Sequence, residues 1–204
     1  MSRKGNTYNE CYSFVILKRV FGIDEIELSD KPDIIGPNRS IGFEVTSGVI
    51  ESEKRLDEIL EREKEGKKAD PLPKGYEREG GIISHPIMSD DEEFVKKSLG
   101  EVSLKYSIEY VEKIIEKKEI KVQGYEKVDK LFLFIDLQLG LIDIKREKAI
   151  CEEIYSKHKG VFDGIYFSIK DDNVVIKCDK EKTEIKRIDD IQSDIAKEAN
   201  LLSK

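Results

Sequence analysis

The run "KLFLFIDL", residues 130–137, restricts the fold more than any other part of the sequence. It is apolar at nearly every position and lacks the alternation of a strand that has one face in water. Such a run is typical of a central strand with both faces of its sheet covered. Because other elements must pack on both faces, the run predicts a layered α/β protein in which helices flank the sheet.

Apolar spacing on both sides of this run predicts the remaining elements. Helical periodicity is found over residues 6–20, 102–118, 145–158 and 188–202. Short apolar or alternating runs indicate strands over 23–28, 32–36 and 41–46, and a hairpin over 164–178. The order α-β-β-β-α-β, with a further helix, the C-terminal hairpin and a final helix, predicts a mixed β-sheet flanked by helices.

The composition changes between residue 50 and about residue 103. A strongly charged segment with helical periodicity, 50–66, is followed by a stretch rich in proline, glycine and acidic residues. Long irregular segments are uncommon inside compact domains, where they usually have a function of their own. We interpret this part as a helical and irregular insertion in a single domain that spans residues 1–204.

The overall charge and the cysteines exclude several classes of protein. The net charge of -7 argues against a protein whose whole surface binds nucleic acid. The acidity is concentrated in residues 51–100, with 14 Asp/Glu against 10 Lys/Arg, so the remainder can present a local basic face. The 3 cysteines show no metal-binding spacing and are expected to be small core residues. With no long apolar run and no export signal, we expect a cytoplasmic protein that does not bind membranes.

Two carboxylates, Asp33 and Glu44, occur in neighbouring predicted strands. Because side chains alternate along a strand, Glu44 points away from the apolar face formed by Phe43 and Val45. If the two strands pair through the intervening turn, the carboxylates come close together and repel each other. A hard divalent cation, Mg²⁺ or Mn²⁺, bound by both carboxylates, a strand carbonyl and water, relieves this repulsion.

Ordinary structural roles are an alternative for each carboxylate taken separately. Asp33 is compatible with a Pro-Asp turn, and Glu44 with a strand residue that faces solvent. A third carboxylate, Glu10, lies on the stripe of the first predicted helix that packs on the sheet, where a charge needs a partner. The three together favour a metal site.

The order of these residues resembles the restriction-endonuclease-like, or PD-(D/E)xK, superfamily of nucleases. The resemblance covers residues 6–48 and, more loosely, 104–137. It rests on a helix with a glutamate, then Pro32 and Asp33, then a glutamate at the end of the next strand, then a helix and a strand. It implies a core of order αβββαβ and the metal-dependent hydrolysis of nucleic-acid phosphodiesters, with DNA as the favoured substrate.

The resemblance also implies roles for individual residues. Asp33 and Glu44 would bind Mg²⁺ or Mn²⁺, with the carbonyl of Val45 as a further ligand. Glu10 would be an auxiliary catalytic carboxylate that supports the metal shell. Many nucleases of this superfamily dimerise, and the charged segment 50–66 would be the candidate for a homodimer contact.

The motif lysine is absent from the expected position, which Thr46 occupies. Some members of the superfamily are thought to place this lysine on the following helix instead. There Lys118 continues the apolar stripe, and this makes it the candidate catalytic lysine. The stripe consists of Leu104, Ile108, Val111, Ile115 and Lys118. A side chain that merely extends from the helix end into solvent is the alternative for Lys118, while Lys121 and Tyr125 could contact a phosphate.

Two functions are therefore compatible with the sequence. The first is a metal-dependent nuclease in which Lys118 orients the attacking water. The second is a catalytically inactive nuclease fold that serves as a binding or assembly module, for which Thr46 and the negative net charge are the arguments. Metal binding separates them, because only an active nuclease needs its carboxylates to take up a cation.

Overall fold

A computed structural model describes most of the chain. The described residues are 6–48, 59, 62, 63, 66, 71, 72, 77–79, 82–87, 95–97, 104–137, 144–170 and 172–203. The chain divides into two compact units. The first consists of Met1–Gly48 and Val111–Lys204, and the second of Val49–Tyr110.

The helices and strands follow the chain in a simple order. They are α1 (Tyr8–Arg19), β1 (Glu27–Leu28), β2 (Ile34–Ile35), β3 (Gly42–Ser47), β4 (Glu77–Glu79), β5 (Ile82–Ile87), β6 (Val95–Lys97), α2 (Leu104–Val122), β7 (Leu131–Leu137), α3 (Ile144–His158), β8 (Gly164–Ile169), β9 (Val174–Asp179), β10 (Thr183–Arg187) and α4 (Gln192–Leu202). Strands β4, β5 and β6 belong to the second unit, and the other strands belong to the first.

The first unit is built on a seven-stranded mixed sheet of order β1-β2-β3-β7-β8-β9-β10. Strands β3, β7 and β8 are parallel neighbours, whereas all other pairs in this sheet are antiparallel. The central position of β7 and the burial of residues 132–137 confirm the interpretation of the apolar run. With four helices among the described residues, the mixed α/β fold is also confirmed. None of these described helices is both long and apolar enough to cross a membrane.

One face of the sheet packs against α1 and α4. Helix α1 contacts β1, β3 and α4, which explains why it is buried on more than one side. Aromatic rings make up much of this core: the rings of Phe43 and Phe132 stack at 5.3 Å, and Tyr166 meets both edge-on. The alternation of β3 therefore directs Phe43 and Val45 towards α1.

The opposite face of the sheet carries α2 and α3. Both helices present buried apolar side chains: Val111, Ile114, Ile115 and Val122 from α2, and Ile150, Cys151, Ile154 and Tyr155 from α3. Helix α3 contacts β8 and β9. All three cysteines are free thiols in the core, as expected from their isolated positions.

Helix α2 continues one turn beyond the end at residue 118 that the sequence predicts. The continuation follows from burial, because Val122 is 7 % exposed and extends the stripe through Val111, Ile115 and Lys118. Gly124 follows soon after and punctuates the chain. The longer helix places Lys121 on α2, about one turn beyond Lys118, and not in a loop.

Residues 50–103 contain strands, contrary to the expectation of a helical and irregular insertion. The stretch interpreted as irregular contains β4, β5 and β6, which form a three-stranded antiparallel sheet. Short runs of strand formers such as Ile82 and Ile83 lie within this stretch, and Pro86 itself belongs to β5. The average composition therefore does not predict these strands. The charged segment 50–66, proposed as a helix and dimer contact, lies largely outside the described residues. Strand β10, Thr183–Arg187, is a further element that the sequence pattern does not predict.

Gly42 allows the segment before β2 to approach β3 closely. A methyl group added at Gly42 would lie 2.6 Å from Pro32 Cγ and 3.3 Å from two methyl groups of Val128. Gly42→Ala is therefore expected to destabilise the protein by about 1–3 kcal/mol, measured by urea denaturation. Gly124→Ala is the control, because its nearest neighbouring atom is 4.0 Å away. Equal unfolding midpoints for the two variants would contradict the close approach.

Candidate functional site

Asp33 and Glu44 are brought together by the pairing of β2 with β3. Ile34 pairs with Phe43 in the antiparallel register, so Asp33 lies opposite Glu44 when the register is continued by one residue. The Oδ2 atom of Asp33 accepts a hydrogen bond of 2.7 Å from the backbone N–H of Val45. Both carboxylates are buried, with 2 % of Asp33 and 0 % of Glu44 exposed. A solvent-facing role for Glu44 is therefore wrong.

Two lysines of α2 contact Glu44 from above the sheet. The Nζ atoms of Lys118 and Lys121 lie 2.6 Å and 2.7 Å from the same carboxylate oxygen, Oε1 of Glu44. Lys118 also donates a hydrogen bond of 2.9 Å to the carbonyl of Val45. Thr46, at the position of the motif lysine, is half-buried in β3. The helix thus places ammonium groups at the carboxylate where the strand offers a neutral residue.

The electrostatic surroundings separate the two acids. Burial, reinforced by the negative charge of Glu44, raises the pKa of Asp33 to about 6. Burial also disfavours the charged form of Glu44, but the charge and hydrogen bonds of Lys118 and Lys121 outweigh it and lower the pKa of Glu44. At neutral pH Glu44 is therefore ionised, while Asp33 gains or loses its proton close to physiological pH.

Glu10 lies at the first turn of α1, where it forms a capping box with Thr7. Its Oε2 atom accepts a hydrogen bond of 2.8 Å from the backbone N–H of Thr7, whose hydroxyl accepts one of 3.3 Å from the N–H of Glu10. Glu10 is 3 % exposed, and its negative charge contributes to the raised pKa of Asp33. Glu10 therefore caps the start of α1 and also acts electrostatically on Asp33.

The oxygen atoms at this site have the chemistry of a hard-cation site. Oε2 of Glu44 is buried and accepts no hydrogen bond from any described residue. Asp33, Glu44 and the carbonyl of Val45 supply oxygen donors only, and Mg²⁺ is commonly bound by one or two carboxylates with water. Among the described residues, no group of three or more His, Cys, Asp or Glu side chains could hold a metal ion. A cation here would therefore depend on two carboxylates, the Val45 carbonyl and water. The donor atoms are oxygens, which is the donor type that Mg²⁺ and Mn²⁺ prefer.

Arg39 supports the site from the turn between β2 and β3, a role that the sequence did not reveal. Its guanidinium donates hydrogen bonds to the carbonyl groups of Lys31, Glu126 and Lys127 at 3.2–3.4 Å. It also forms an ion pair of 2.9 Å with the Glu126 side chain. Arg39 thereby connects the chain before Asp33 to the segment that follows α2.

A second ion pair joins the buried Asp136 to the half-buried Lys170 on the opposite face of the sheet, and the sequence did not reveal it. Alternation along β7 and β8 directs both side chains towards α1. The Lys170 ammonium lies 5.7 Å and 4.8 Å from the ring centroids of Tyr8 and Tyr12. Because cation–π contacts and the carboxylate surround this ammonium, the pair joins α1 to the central strands.

Comparison of the chain with protein-family models, with curated proteins and with solved structures finds no match in any of the three. The resemblance to a nuclease superfamily therefore rests on the residues quoted for it. What the site can do follows from its own geometry, namely a buried acid pair with two helix lysines bonded to one of the acids.

The raised pKa of Asp33 gives stability a defined pH dependence. Below pH 3.8 the group is protonated in both the folded and the unfolded protein, whereas above about pH 6 the folded protein carries a buried charge. The shift corresponds to about 3 kcal/mol of stability that is lost as the pH rises through this interval. Asp33→Asn, measured by urea denaturation in EDTA, is therefore expected to be more stable than the parent at pH 8 and equal to it near pH 3.5. A variant less stable at pH 8 would show that Asp33 is held mainly by its hydrogen bond to Val45.

Replacement of Glu44 is expected to have the opposite effect. Glu44→Gln leaves the Lys118 and Lys121 ammonium groups without their carboxylate, so stability at pH 8 should fall by about 1–3 kcal/mol. Glu112→Gln is the matched control, since its ion pair of 2.8 Å with Lys157 lies at the surface and should contribute less than about 1 kcal/mol. Equal losses in the two variants would contradict a special role for the buried carboxylate.

Proposed function

We propose that this protein is a Mg²⁺- or Mn²⁺-dependent nuclease that hydrolyses nucleic-acid phosphodiesters, with DNA as the favoured substrate. The observation that carries the proposal is the 2.6 Å contact between Lys118 Nζ and Glu44 Oε1, next to Asp33. Two carboxylates and a lysine are the groups that the nuclease motif requires, and α2 supplies the lysine that β3 lacks. The element order α1-β1-β2-β3-α2-β7 of the seven-stranded sheet is compatible with the αβββαβ core of that superfamily.

Asp33, Glu44 and the Val45 carbonyl would hold the cation. When bound, Mg²⁺ polarises the scissile phosphate and lowers the pKa of water. Lys118 holds its ammonium beside this site through the Val45 carbonyl, so it can orient the attacking water and offset the negative charge that develops on the phosphate. Glu10 adds negative charge near Asp33, which favours cation binding. Since Asp33 must be ionised to bind a cation, activity should decline below about pH 6.

The inactive binding module remains the second candidate, and one observation favours it. The two lysines already neutralise Glu44 and Asp33 without any metal, because two positive and two negative charges sum to zero at neutral pH. A module of this kind would need no cation to be stable. Its melting temperature should then be unaffected by Mn²⁺, whereas a nuclease should melt at a higher temperature when Mn²⁺ is added.

Lys118→Met separates these functions. We expect plasmid nicking in Mn²⁺ to fall by roughly 100-fold to 1000-fold, as for the loss of one preorganised electrostatic group. The rise in melting temperature with Mn²⁺ should persist, because the oxygen ligands remain. Asp33→Asn and Glu44→Gln should abolish nicking.

Lys113→Met is the control for this experiment. Lys113 lies on the same helix but is exposed, so its replacement should leave the nicking rate nearly unchanged. Parent protein with neither nicking activity nor a Mn²⁺-dependent melting temperature would contradict the nuclease proposal and favour the binding module.

A further inference from the structure

The two lysines bonded to Glu44 differ in how firmly they are held. Lys118 has 17 % of its side chain exposed and a second acceptor, the Val45 carbonyl at 2.9 Å. Lys121 has 49 % of its side chain exposed, and its Nζ atom lies 5.7 Å from the ring centroid of Tyr125, at the helix end. Of the two ammonium groups, that of Lys121 can therefore reach solvent with the smaller rearrangement.

The charges around Glu44 determine whether both lysines can stay bonded to it when a cation binds. Lys118 and Lys121 balance the charges of Asp33 and Glu44, and Glu10 adds one further negative charge near Asp33. A divalent cation would therefore give this group of charges an excess of positive charge. Both lysines bond to Oε1, which leaves the buried Oε2 of Glu44 without a described partner. A cation bound by this carboxylate would lie close to both ammonium groups, and like charges at such distances in a buried site repel strongly. This repulsion favours the departure of one ammonium group from Glu44. Lys121 is the more exposed of the two lysines, so its movement costs less free energy.

We propose that Lys121 is an exchangeable counter-ion that bonds to Glu44 in the metal-free protein and moves to a phosphate of the nucleic-acid backbone when a divalent cation binds. The inference rests on the proposed function and adds a regulatory step to it. A lysine ammonium is a mobile point charge suited to phosphate, and the long side chain lets it turn away from Glu44 while its backbone stays in α2.

This exchange makes substrate binding depend on the cation. In the metal-free protein, the Lys121 ammonium is paired with Glu44 and does not bind a nucleic-acid phosphate. With metal, the same charge becomes available to a phosphate next to the scissile bond. Lys121 is thus a substrate-binding residue whose contribution to DNA binding appears only when the cation is present.

Lys121→Met tests the proposal through two binding measurements that need no turnover. The variant removes a competing charge, so Mn²⁺ should bind on the order of tenfold more tightly in isothermal titration calorimetry. Binding of a fluorescent DNA duplex is measured by anisotropy in EDTA and in Ca²⁺, which also takes oxygen ligands. In Ca²⁺ the variant should bind DNA on the order of tenfold more weakly, with a salt dependence smaller by about one phosphate contact. In EDTA it should bind like the parent.

Lys117→Met is the matched control, because Lys117 is an exposed lysine of the same helix. It should leave Mn²⁺ affinity unchanged and affect DNA binding equally in EDTA and in Ca²⁺. If Lys121→Met behaves like this control, or if it weakens Mn²⁺ binding, the exchange is wrong while the nuclease proposal stands. If the parent takes up no Mn²⁺ at all, both proposals are overturned.

Discussion

The ionised carboxylate of Glu44, with no exposed surface, is the constraint on which the site depends. A buried charge requires compensation, and β3 carries none, because its neighbours along the strand are apolar or neutral. Compensation comes from α2, whose apolar residues fix the helix on the sheet so that Lys118 and Lys121 lie over the strand. The packing of α2 on the sheet therefore also determines where the two ammonium groups that compensate Glu44 are placed.

The parts of this arrangement that depend on local patterns could be predicted from the sequence. The central strand followed from its apolar run, and the position of Lys118 followed from the stripe of α2. The bond of Lys121 to Glu44 could not be predicted in the same way, because it required the helix to continue as far as Val122, and Val122 is helical through its burial against the rest of the fold.

Other features depend on which strands become neighbours, which no local pattern specifies. Asp136 and Lys170 are 34 residues apart and meet because β7 and β8 pair in parallel. Arg39 bonds to the carbonyl of Lys127, 88 residues away, because the β2–β3 turn reaches the segment after α2. In both cases the sequence alone shows only charged residues of the kind common on protein surfaces. The contacts that these residues make depend on which strands and turns become neighbours in the fold.

The second unit, residues 49–110, is inserted between β3 and the part of α2 that carries the lysines. The bond between Glu44 and Lys118 therefore closes a loop of 74 residues. The entropy lost in closing a flexible loop grows with its length, and contacts of high sequence separation slow folding. The contact between Glu44 and Lys118 is therefore expected to form late in folding, after β3 has paired with its neighbouring strands.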